Sequence, residues 1–224
     1  MNIISSDSGT ALQRVNADEI RPSGGYNIPE LVRLIGERYG FGQKPTAETA
    51  STSGAKFMDG RLIFGNTKIN IRELTFFNDA IGVTSYDTKS AEFVLDDLFA
   101  WARETINTRP LQTPFPKQFH SILVIELDPK IERLFDRFEK VRKLYSAMIA
   151  SLYDFRGTIA PNRLAISRDQ TESPAPSLLN LGDLQWAFER RLNVPYANNR
   201  FISGAPLKTE MHIELLNALE ASAE

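Results

Sequence analysis

The feature that most limits the architecture is a run of apolar residues spaced like a helical seam. Ile131, Leu134, Phe138, Val141, Tyr145, Met148 and Leu152 follow one another at intervals of 3, 4, 3, 4, 3 and 4 residues. That spacing sets all seven on one stripe of an α-helix, the pattern of a heptad seam. Asp128-Pro129 precedes it, offering a capping carboxylate and a proline at the first helical position, where the missing N–H costs nothing. The sequence therefore predicts one long helix from Asp128 to about Tyr153. Phe135, Leu144 and Ile149 widen the stripe beyond a strict seam. Such a helix either packs on the protein's own sheet or meets a copy of itself or another protein.

The remaining pattern is mixed. Residues 1–26 are polar and rich in Gly and Ser at both ends, and Ala11 to Ile20 reads equally as a short strand or a ragged helix. Asn27 with Pro29 opens a helix whose Leu31, Leu34 and Ile35 share a face, and Gly40 is suited to stop it in a left-handed conformation. Residues 46–86 read as a β-meander. Its turns are expected at Asp59-Gly60, Gly65-Asn66 and Asn78-Asp79. The apolar parity changes between Ile71 and Leu74, which predicts a bulge or twist there. Asp87 or Thr88 then caps a helix with two faces. Lys89, Glu92, Asp96 and Arg103 fall in one sector, and Val94, Leu95, Leu98, Trp101 and Ala102 lie opposite.

Pro110, Pro114 and Pro116 break regular structure over residues 107–118. Beyond them, Phe119 to Leu127 reads as an interior strand. Arg163 to Arg168 reads as another strand, residues 169–177 as a loop, and Asp183 to Leu192 as a helix. The last helix starts near Thr209 and carries Met211, Leu215, Leu216 and Leu219. No internal repeat is visible. The expected fold is α+β: an antiparallel meander covered by an amphipathic helix, then a strand–helix–strand segment and C-terminal helices. One domain over 1–224 is expected, with lobes 1–106 and 119–224 about the proline-rich connector 107–118.

Several chemistries are excluded by composition. The chain has no cysteine among its 224 residues, so disulfides, thiol catalysis, zinc–thiolate sites and iron–sulfur clusters are ruled out. Formal net charge is −2, where a nucleic-acid-binding domain is usually clearly basic. Classical P-loop and dinucleotide-binding glycine patterns are absent. Met1 to Ser6 lacks the basic stretch of a secretory signal, and no apolar run is long enough to cross a bilayer. A cytoplasmic protein without membrane contact is the expectation.

Candidate functional residues are few. Ser53-Gly-Ala-Lys56 matches the Ser-x-x-Lys pattern of acyl-transfer enzymes, but it reads as extended rather than helical and lacks a Lys-Thr-Gly companion; we read it as a chance match. His212, in the first turn of the last helix, is the first candidate for a general base. It also sits on an apolar face, where histidines usually serve packing. Glu92 and Asp96 are one turn apart and are the weak candidates for a divalent cation, although Lys89 and Arg103 share their sector. No metal or other cofactor is expected. Lys130, Arg133, Arg137 and Lys140 form a basic stripe, within about 80° by α-helical periodicity. Phe93 and Phe99 flank the packing face of their helix as an aromatic edge.

Together these features favour a non-enzymatic subunit that acts by protein–protein association, with itself or with another protein. The partner-binding candidates are Lys130, Arg133, Arg137, Lys140, Phe93 and Phe99. One alternative is a hydrolase using His212 or the Glu92/Asp96 pair. A second is weak nucleic-acid binding through the basic stripe; the charge balance disfavours it.

Overall fold

The computed structural model describes residues 1–16, 20, 22, 25, 27–46, 48–49, 55–111, 116–153, 161–167 and 184–223. Eight antiparallel strands form one sheet: β1 (Asn2–Arg14), β2 (Lys56–Phe64), β3 (Thr67–Phe76), β4 (Ala80–Ser85), β5 (Gln118–Glu126), β6 (Arg163–Ile166), β7 (Trp186–Arg190) and β8 (Arg200–Ala205). Their order across the sheet is β2-β3-β4-β1-β5-β8-β7-β6. The α-helices α1 (Ile28–Tyr39), α2 (Thr88–Ile106), α3 (Glu139–Tyr153) and α4 (Thr209–Ala221) accompany them. The fold is α+β.

The strand order reads as two equivalent halves. The first half runs β1-α1-β2-β3-β4-α2, and the second runs β5-α3-β6-β7-β8-α4. Each half pairs its strands in the same pattern, and the halves meet at the central β1–β5 pair. The internal repeat is therefore real, although the sequence hides it. A mark of it survives where the two closing helices begin. The Thr88 N–H donates to the Thr209 hydroxyl at 3.1 Å, and the Thr209 N–H donates to the Thr88 hydroxyl at 2.8 Å. Both threonines are buried, so each supplies the acceptor that the other helix's first N–H needs. Beneath them Gly9 of β1 is required: a Cβ there would lie 2.1 Å from the Asp87 carbonyl carbon.

Both cores lie on the same face of the sheet. The first gathers Ile35 and Tyr39 of α1, Phe57, Ile71, Leu74 and Val83 of the sheet, and Val94, Leu95 and Leu98 of α2. The second gathers Leu123, Ile125, Phe188 and Phe201 of the sheet with Ile131, Phe135 and Leu216. Local signals explain most of the first half. Asn27 accepts from the Glu30 N–H, Gly40 takes φ +55°, and Asp87 accepts from the Ser90 N–H at 2.8 Å.

Five expectations are corrected. Residues 2–14 form a long strand at the centre of the sheet, because β5 pairs it from Asn2 to Leu12 and β4 from Gly9 to Arg14; its polar residues stay exposed or half-buried, except Gln13, which is buried. Asp59-Gly60 is not a turn. It lies inside β2, where Asp59 has φ +59° and Gly60 makes room for the Phe41 ring. Core-facing parity changes there between Phe57 and Leu62, at the level where β3 changes between Ile71 and Leu74, so the register is preserved. The true hairpin turn is Gly65-Asn66, with Gly65 at φ +56°.

The region read as a helix at 183–192 contains strand β7. Trp186, Phe188 and Arg190 alternate inward, and the charge of Arg190 disguised that period of two. Arg190 is buried because its guanidinium pairs with Glu132 and lies over the Tyr196 and Phe201 rings. β8 was not foreseen for a similar reason, since its inward Ser203 is polar. Finally, the long helix is not one α-helix. Pro129–Phe138 is a 3₁₀ segment, and α3 begins only at Glu139. The loop expected at 169–177 lies outside the described residues.

Candidate association surface

The second half brings its intermediate segment up to the sheet and then lets it leave. Asp128 caps the 3₁₀ segment by accepting the Lys130 N–H at 2.9 Å. Ile131 and Phe135 enter the second core, and Leu134 packs against its edge. Beyond this point the seam emerges. Phe138, Val141, Tyr145, Met148 and Leu152 are each between 53% and 72% exposed, and Leu144 beside them is 58% exposed. Among the described residues, α3 makes more than marginal contact only with the 3₁₀ segment that leads into it. Glu139 binds Arg142 at 2.6 Å and Lys143 at 3.3 Å within the helix.

The basic stripe does not lie as α-helical periodicity places it, because Lys130 and Arg133 belong to the 3₁₀ segment and Lys140 to α3. Lys130, Arg133 and Lys140 are exposed; the side chain of Arg137 lies outside the described residues. Phe93 is partly exposed and meets Phe64 edge to face, with ring centroids 5.4 Å apart. Phe99 is directed elsewhere and packs against the first core.

The candidate catalytic groups are held in other ways. His212 is fully buried. Its Nδ1 lies 2.8 Å from the Ser121 hydroxyl and its Nε2 lies 2.9 Å from the Ser203 hydroxyl. Ser203 also accepts from the Trp186 indole N–H at 3.1 Å and donates to the Ala187 carbonyl at 3.1 Å. One assignment satisfies all these contacts: Nε2–H donates to Ser203, and Nδ1 accepts from Ser121. Burial, assisted by nearby His120, pushes His212 down to about 4, so it is neutral near pH 7. This histidine joins α4 to β5 and β8.

Glu92 and Asp96 meet ammonium groups from outside their own helix. Lys117 lies 3.2 Å from Glu92 and 2.7 Å from Asp96, and Lys208 lies 2.7 Å from Glu92. Burial alone would raise the Glu92 carboxyl, but the two lysines outweigh it and hold the group below its usual value. Lys89 and Arg103, expected to neutralise this face, are not the partners. Lys56 of the Ser-x-x-Lys match pairs with Glu73 at 2.6 Å on the neighbouring strand, and Ser53 lies outside the described residues. Among the described residues no three histidine or carboxylate groups cluster as metal ligands, and no helix is long and apolar enough to cross a membrane.

Sequence reasoning missed Asp97, which fixes the other intermediate helix. It accepts from the Arg38 guanidinium at 2.6 Å and from the Tyr39 hydroxyl at 2.7 Å, tying α1 to α2. Its position off the charged sector, at the edge of the packing face, was the only sequence signal.

No family model matches the chain, and no curated protein matches it. Among solved structures, Methanococcus jannaschii TBP is similar over 99% of this chain and 97% of its own, at 11% identity and a TM-score of 0.43.

Proposed function

We propose that the protein is a non-enzymatic subunit that assembles through the apolar face of α3, and that the partner is a second copy of this chain. The observation that carries this reading is the exposed seam from Phe138 to Leu152. An apolar stripe on a helix needs cover, and heptad spacing is the pattern another helix covers best. The seam starts inside the protein's own core at Ile131, so the exposed part extends an already anchored element. Leu144 and Ile149 broaden the face beyond a two-helix seam, favouring a small bundle of helices over a single crossing. Lys140 and Lys143 on exposed positions of α3 keep it soluble until it pairs.

The chain's lack of cysteine makes the test direct. Met148→Cys places one thiol on the seam, and Lys68→Cys places one on an exposed strand position remote from it in sequence. Mild oxidation of the Met148→Cys protein should give a covalent dimer at low micromolar concentration, while the Lys68→Cys protein stays monomeric. Equal cross-linking of the two, or none at Met148→Cys, counts against the proposed contact.

A further inference from the structure

A cavity of about 590 Å³ lies between α1, α2 and the sheet of the first half. It is far larger than the water-sized gaps of a packed core, and it falls within the range of small-molecule sites. Its wall is mostly apolar, with Leu31 and Val32 from α1, Phe57 and Phe76 from the sheet, and Phe99 and Trp101 from α2. Two arginines stand among the lining residues. Arg103 is in the last turn of α2 and Arg109 follows that helix; both are exposed, so they mark the open side.

Their situation differs from that of Lys117, which also lines the cavity. Lys117 is committed to Glu92 and Asp96, whereas neither arginine has a carboxylate partner among the described residues. Two arginines lining one apolar chamber match a molecule with a hydrocarbon body and a planar anionic head. We propose that this cavity binds a single-chain fatty carboxylate, with the chain among Val32, Phe76 and Trp101 and the head at Arg103 and Arg109. This reading is independent of the association through α3.

The chain has two tryptophans, and only Trp101 lines the cavity; Trp186 belongs to the second core. Titration with 12-bromododecanoate, whose heavy atom quenches a nearby indole, therefore reports occupancy. The expected result is saturable quenching at one equivalent, lost in Trp101→Phe. The uncharged 12-bromododecanol should bind at least about 10-fold more weakly, the scale of one lost charge-assisted hydrogen bond. Arg103→Gln with Arg109→Gln, both at exposed positions, should erase that preference while leaving the melting temperature in place. Val32→Phe should reduce binding of both probes by filling the chamber. Absence of saturable quenching, quenching that persists in Trp101→Phe, or equal affinity of wild type for acid and alcohol would overturn the proposal.

Discussion

The two halves share one strand pattern and differ most in the helix between their first and second strands. In the first half, α1 lies down on the sheet. Ile35 and Tyr39 are buried, and Asp97 of α2 clamps Arg38 and the Tyr39 hydroxyl. In the second half, the corresponding segment is docked only over its 3₁₀ portion, through Ile131 and Phe135, and α3 then carries its apolar face outward. The same topology thus gives one helix that buries Ile35 and Tyr39 against the sheet and one whose apolar face stands exposed. The difference is in the side chains: α1 spends its apolar residues on the sheet, whereas α3 has more than its own sheet covers.

The largest effect should come from testing whether the halves act as one. Phe57→Ala and Phe188→Ala each remove a fully buried ring from one core and should each cost about 3–5 kcal/mol. Because β1 and β5 join the halves in one sheet, single-tryptophan variants reporting Trp101 and Trp186 should melt together in both mutants. Separate transitions would mean that the halves are independent units.

Acid should distinguish the halves next. His212 stands three residues after Thr209, where the first half has Ala91 three after Thr88. The unfolded chain takes up this proton near pH 6.5. The folded chain resists it until about 4. Stability is therefore whole above pH 6.5 and falls as pH drops through that window, by on the order of 3 kcal/mol. Half-buried His120, lowered by burial, acts in the same direction. Denaturant titrations at neutral pH and near pH 4.5 should show the loss, and His212→Gln should flatten most of it. An unchanged slope in that variant would place the acid sensitivity elsewhere.

The Thr88–Thr209 pair offers a smaller break. Either threonine replaced by Val leaves the opposite buried helix N–H without its acceptor, and should cost about 1–2 kcal/mol. The double variant should cost less than the sum, since the hydroxyl–hydroxyl hydrogen bond between them, at 3.2 Å, is already lost in either single variant. Full additivity would argue that the two caps are separate.

How much of this was legible in the sequence depended on whether local chemistry and burial agreed. They agreed for α1, α2, the Gly65-Asn66 hairpin and the start of α4, where caps, turns and apolar spacing point the same way. They disagreed in β7 and β8, whose inward faces carry Arg190 and Ser203; a charge or hydroxyl at a core position erases the period that identifies a strand. They disagreed again in β1, whose polar run reads as a tail until its two neighbours supply hydrogen bonds. The repeat was invisible because it lives in strand order, not in residue identity. The seam on α3 was readable, but its exposure was not, since periodicity says that a face is apolar and not what covers it. The cavity of the first half had no sequence signal at all, because it depends on how far α1 and α2 stand apart.

The smallest effect on stability should accompany the largest effect on assembly. Val141→Glu with Met148→Glu changes two exposed positions on α3, so unfolding free energy should move by no more than about 0.5 kcal/mol per site. The decisive experiment is sedimentation velocity of wild type and this double variant over a wide concentration range. The account predicts that wild type sediments as a dimer or larger assembly and that the variant sediments as a folded monomer. A wild-type protein that stays monomeric at every concentration, or a variant that assembles as wild type does, would contradict self-association through α3.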